Sequence, residues 1–198
     1  MHLYIKKLSL LSLSLLLSYT TLSAKEYVVE DNAQKSTYVD GVRQGMTWWY
    51  DDRHKIKSKV HFEQGKEHGI YTSYYDNGKK KLVVEYVHGQ KHNVQKIYYD
   101  NGQLGSQVTY DMGRREGLMI EWDYEGYKSS EVFYKRNYKV GVKKYYDHKG
   151  EVTFTQTFKM DRNPLMVKLL KDKREETLVD LAKYGLMPKN ASKKERLK

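Results

Sequence analysis

The sequence predicts a mostly β protein: an elongated antiparallel β-hairpin array of five 24-residue repeats, followed by a C-terminal α-helix. Three observations lead there. Glycines recur at one period, apolar residues alternate inside each period, and a helical pattern begins only after the last copy.

The period is carried by three columns. Gly41, Gly65, Gly89 and Gly113 begin four copies, and Asn137 begins the fifth. Four residues later stand Gly45, Gly69, Gly117 and Gly141, with Asn93 in the third copy. Gly78, Gly102, Gly126 and Gly150 form the third column, where the first copy has His54. Asn replaces Gly twice, as expected where the backbone must be left-handed. Asn77-Gly78 and Asn101-Gly102 are signals for two-residue hairpin turns with positive φ at both positions. The pairs Gly65/Gly69 and Gly113/Gly117 mark the return turns.

Between the glycines run apolar columns. Met46, Ile70, Val94, Leu118 and Val142 form one, and Tyr50, Tyr74, Tyr98, Trp122 and Tyr146 another. In the second half of each copy come Val60, Val84, Val108 and Val132, then Phe62, Tyr86, Tyr110, Tyr134 and Phe158. Within each strand these spacings are even, so each set shares a face. All four columns are expected on one dry face, opposite a wet face carrying Lys57, Lys59, His61, Glu121 and Lys143.

The ends differ in kind. Residues 1–24 combine Lys6 and Lys7, an apolar run from Leu8 to Leu17 and a small-residue close at Ser23-Ala24. That is the pattern of a signal peptide, with too short a run for a spanning helix. Residues 25–40 read as a half repeat capping residues 41–160. Asn163-Pro164 opens a helix over 163–185, ended by Gly185, whose apolar side is expected near Phe154 and Phe158. Residues 186–198 read as a basic disordered tail. The mature chain is therefore expected outside the cytoplasm, periplasmic or secreted. With no cysteine it has no disulfide, and losing Lys6 and Lys7 lowers its net charge from +11 to about +9. So basic a surface favours anionic partners.

Tyr74-Tyr75-Asp76-Asn77-Gly78-Lys79 and Tyr98-Tyr99-Asp100-Asn101-Gly102-Gln103, with the Gly-x-x-x-Gly pairs, resemble the bacterial variant of the MORN repeat over residues 38–160. Trp122-Asp123-Tyr124-Glu125-Gly126 and Tyr145-Tyr146-Asp147-His148-Lys149-Gly150 depart from that pattern. The resemblance implies a β-hairpin array used for binding or scaffolding. Some bacterial relatives carry the label of YwqK-family antitoxin, which implies neutralisation of a cognate effector as an alternative role.

Chemistry is not announced. The histidines 54, 61, 68, 88, 92 and 148 read as polar turn residues, although His88 and His92 flank one return turn. No metal, cofactor or catalytic residue is assigned, and no phosphate loop, dinucleotide fingerprint or nucleophile elbow occurs. Asp51, Asp76, Asp100 and Asp123 belong to turns. Trp49, Tyr71, Tyr75, Tyr99 and Tyr145 fall outside the core columns and form the candidate partner-binding strip. The expected partner is a protein, with anionic lipid or cell-wall polymer as the alternative, and export argues against nucleic acid.

Overall fold

The computed structural model describes residues 24–158 and 182–184. The chain divides between Gln90 and Lys91 into two compact units. The first holds β1 (Glu26–Glu30), β2 (Gln34–Val39), β3 (Val42–Tyr50), β4 (Ile56–Glu63), β5 (Lys66–Tyr74) and β6 (Lys80–Val87). The second holds β7 (Gln90–Tyr98), β8 (Leu104–Asp111), β9 (Arg114–Trp122), β10 (Lys128–Lys135), β11 (Tyr138–Tyr146) and β12 (Val152–Phe158). Within each unit every strand pairs antiparallel with the next in chain order. The mostly β, antiparallel hairpin architecture is thus as the sequence predicts.

The expected signal peptide, except Ala24, and the basic tail lie outside the described residues. So does the expected helix over 163–185, save for residues 182–184. There Ala182 and Lys183 are helical, and the Tyr184 ring stands 6.1 Å from Phe133 of β10. The sequence points to Phe154 and Phe158 for that contact.

The two-residue turns fall at the return positions and not at the Asn-Gly ends where the sequence places them. Positive φ at two successive residues occurs at Asp40-Gly41, Gln64-Gly65, His88-Gly89, Met112-Gly113 and Arg136-Asn137. At the Asn-Gly ends only the glycine is left-handed, with φ 82° at Gly78 and 92° at Gly102. There Tyr75 N donates to Lys79 O and Gly78 N to Tyr75 O, each at 2.8 Å. That is a three-residue loop ending in a bulge, the commonest alternative to a two-residue turn. Asn77 Oδ1 and Asn101 Oδ1 accept from the amides of Lys79 and Gln103. Their side chains serve the loop, and left-handed backbone is not asked of them.

The second glycine column is a bulge inside the odd-numbered strands. Gly45, Gly69, Gly117 and Gly141 have φ between 72° and 92°, and Asn93 has 56°. In β4–β5 the register passes from Lys59↔Thr72 to His61↔His68, so β5 spends two more residues than β4. Only Gly, or Asn at modest cost, fits such a point.

A row of valines is buried on one face. Val60, Val84, Val108 and Val132 are 0–4% exposed, and each such burial is worth about 2 kcal/mol. Their cross-strand partners are Thr47, Tyr71, Gln95 and Met119. The Met46–Val142 column therefore lies on the opposite face, correcting the single dry face expected from spacing. Pairing decides the face across a hairpin: Ile70 stands opposite Glu85, one residue past Val84. Glu121 and Lys143, expected on the wet face, lie on the valine face, because Glu121 pairs with Ser130 and Lys143 with Gln156. In β10 both faces are covered, with Ser130 to Tyr134 all under 9% exposed.

Successive copies are tied at the two-residue turns. Gly65 N donates to Arg43 O at 2.9 Å and Gly89 N to Glu67 O at 2.8 Å in the first unit. Gly113 N to Lys91 O and Asn137 N to Arg115 O, at 2.7 and 3.0 Å, repeat the bond in the second.

Candidate functional site

The strands place the five candidate aromatics in two settings. Trp49, Tyr71 and Tyr145 are strand residues on the valine face. Trp49 tilts against Phe62 at 6.2 Å, and Tyr71 meets Tyr86 edge-on at 6.2 Å. Tyr145 lies 5.5 Å from Phe154, beneath Lys143 Nζ at 4.7 Å. Tyr75 and Tyr99 open the three-residue loops. Lys81 Nζ sits 5.4 Å from the Tyr75 ring. Tyr99 donates its hydroxyl to Trp122 O at 2.9 Å and stacks obliquely on Tyr124. Its ring also fills the space above Gly105, where a Cβ would come within 3.1 Å. All five are half-buried.

The opposite face also shows apolar surface. In the first unit Val42 is 47% exposed and Ile70 54%. Met46 and Trp48 share their face by alternation along β3, and Lys57 by alternation along β4. In the second unit Val94 is 42% exposed on the equivalent face. Met46, Ile70 and Val94 sit in a column the sequence assigns to the core, so the signal was present and assigned to the wrong side.

Some of the basic charge is spent inside the sheet. Arg43 lies 4.9 Å from the Phe62 ring and 5.6 Å from Tyr38. Lys91 covers Tyr110, Arg115 covers Tyr134 and Lys139 covers Phe158, at 4.3–5.3 Å. The residue two after each turn glycine or Asn137 is thus cationic in every copy but the second, which has Glu67. Such contacts are worth roughly 0.5–2 kcal/mol each.

Two polar clusters stand out. On the valine face of the second unit, Glu121 accepts from Ser130 Oγ and, at 3.0 Å, from Lys143 Nζ. Burial pushes the Glu121 carboxyl up, but these donors and the lysine charge hold it below its ordinary value. Burial opposes the charge on Lys143 too, yet Glu121 leaves its ammonium above the usual range. On the other face, the Tyr146 hydroxyl donates to Glu131, which also pairs with Lys128 at 3.1 Å. In the first unit, Glu63, His68 and His88 bring donor atoms within 4.8 Å of one another. In the second unit His92 Nδ1 lies 3.7 Å from Asp111.

The recurring carboxylates do turn work. Asp51 Oδ1 accepts from the amides of Arg53 and Lys55, and Asp123 Oδ1 from that of Tyr127. Asp76 and Asp100 stand one place later in their copies, where Asp76 lies 3.8 Å from Arg53 and Asp100 accepts from the Tyr124 hydroxyl.

Repeated hairpins, with a backbone bond from Gly65, Gly89, Gly113 and Asn137 each to a strand one copy earlier, define a β-hairpin repeat protein. Residues 67–88 and 91–112, two of the five copies, match the family described as MORN repeat variant. The matched copies are those that keep Asp-Asn-Gly in the loop. No curated protein matches the chain. Among solved structures, the crystal structure of accessory secretory protein 1, 2 and 3 in Streptococcus pneumoniae is similar at 12% identity and a TM-score of 0.27. That match covers 78% of this chain and 24% of the other, so this chain spans about a quarter of its length. A superposition of that quality says nothing of what this chain binds.

Proposed function

We propose that the protein is an exported, non-enzymatic binding or scaffolding module that holds a partner protein on its sheet surface. The observation that carries this is the exposure of Ile70 on a strand, 54%, with Val42 on the same face of the first unit. Apolar side chains standing from a regular sheet lose little entropy on docking, and water is released when a partner covers them. The half-buried aromatics Trp49 and Tyr71 already spend their faces on Phe62 and Tyr86, which favours the Ile70 face for contact.

The test is affinity capture from the native organism with the mature chain, beside Ile70→Glu and Trp49→Ala forms. One protein held stoichiometrically at moderate salt and lost with Ile70→Glu supports the reading. Loss with Trp49→Ala alone moves the contact to the valine face. Retention only on anionic vesicles, collapsing as salt rises, replaces the protein partner with lipid. A mature N-terminus near Lys25 in an extracytoplasmic fraction tests the export half. An intact Met1 there overturns it.

A further inference from the structure

We propose that Glu63, His68 and His88 form a binding site for a divalent transition metal of the zinc class. The two-residue turn at Gln64-Gly65 pairs Glu63 with Lys66 and His61 with His68. Glu63 and His68 therefore lie diagonally on one face, at the mouth of one hairpin. The next two-residue turn brings His88 alongside. Its Gly89 amide bonds Glu67 O at 2.8 Å, so the turn carrying His88 is fixed beside the strand carrying His68.

The resulting geometry suits a cation better than it suits the three side chains alone. Glu63 Oε2 stands 3.1 Å from His68 Nδ1. That nitrogen is buried and makes no aligned hydrogen bond. The His68 and His88 rings approach to 5.3 Å at 60°, too tilted to stack. One donor atom from each residue falls within 4.8 Å of the other two. Around zinc, with bonds of about 2.0–2.2 Å, neighbouring tetrahedral donors stand roughly 3.4 Å apart. The set closes to that spacing by side-chain rotation of about an ångström, for which exposed His88 has room. Two imidazoles and one carboxylate favour zinc, nickel or copper over calcium or magnesium, which want oxygen. Among the described residues this is the one group of three metal-capable side chains so placed. Bound metal would join the ends of two successive hairpins, supplementing the single amide bond there.

The experiment uses the full mature chain, stripped with a chelator and titrated calorimetrically with zinc chloride, then with calcium chloride. His88→Asn keeps a residue that tolerates the positive φ of the turn, and His92→Gln alters a histidine outside the cluster. One zinc per chain is expected, with affinity falling at least ~10-fold in His88→Asn and unchanged in His92→Gln. Cobalt should give the intense visible absorption of a four-coordinate ion, lost in the same variant. Zinc should also raise the melting temperature of the parent but not of His88→Asn. No zinc binding up to millimolar concentration, equal binding by His88→Asn, or equal affinity for calcium overturns the site.

Discussion

Ser36 and Thr47 face each other across β2 and β3, both fully buried, and neither hydroxyl has a hydrogen-bond partner in the protein. A buried hydroxyl without a partner costs about 1–3 kcal/mol. Val60, on the other side of Thr47 in the same row, shows that the site accepts a β-branched apolar residue. Thr47→Val should therefore stabilise the protein by about 1 kcal/mol, read as a higher urea midpoint at unchanged slope. A fall in the midpoint would mean that the hydroxyl is satisfied.

The face assignment can be tested by truncation. Val84 is fully buried and its neighbour by column, Ile70, is more than half exposed. Val84→Ala should cost about 2 kcal/mol, from lost burial plus the cavity. Ile70→Ala removes more carbon yet should change stability by no more than about 0.5 kcal/mol. Equal losses in chemical denaturation would return Ile70 to the core.

The strand bulges make a conformational prediction. A Cβ at Gly69 meets nothing within 4 Å, so substitution there is limited by its φ of +81° and not by space. Asn93 occupies the equivalent place in the next copy. Gly69→Asn should cost well under 1 kcal/mol and Gly69→Val about 1–2 kcal/mol or more. Thermal melts of the two forms give the order directly.

The Glu121–Lys143 pair should impose a pH signature. Glu121 is held below 4.5 when folded, so its contribution is present above that value and disappears as pH falls through the folded pKa. Lys143 is held above 10.5, so its contribution is present below that value and disappears as pH rises through the folded pKa. Lys143→Gln should lower stability at neutral pH, with the deficit shrinking as pH falls below the ordinary carboxylate range and Glu121 is protonated. A deficit independent of pH between about 3 and 7 would mean that the lysine acts by packing its stem.

The period and its glycine columns were legible because left-handed backbone admits few residues, and Gly41 through Asn137 repeat that demand. The turn types were less so. Asn77-Gly78 satisfies both a two-residue turn and a loop with a terminal bulge, and the Asn side chain is useful in the second. Spacing fixes a face along one strand, but across a hairpin it depends on which residues pair. That is why Ile70 and Val84 were placed together and are found apart. The run Val132-Phe133-Tyr134 did carry a sign of double-sided burial, being apolar without alternation. The candidate aromatics were found by parity, and their ring partners were not, because Trp49 and Phe62 or Tyr145 and Phe154 meet only once strands are registered. Glu63, His68 and His88 show no motif spacing. Their meeting depends on one turn lying beside the next, which no local pattern encodes.

The amide bond from each two-residue turn to the strand one copy earlier uses backbone atoms alone, in Gly65 to Arg43 as in Asn137 to Arg115. Side chains add to the join at particular turns, as where Arg115 N donates to Asn137 Oδ1, but the shared bond asks nothing of them and makes the copies interchangeable parts. A gene of this kind can gain or shed a whole copy in frame, and each new neighbour docks by the same bond. Length is then free to vary by duplication while surface residues such as Ile70 diverge copy by copy, so reach and specificity can evolve separately.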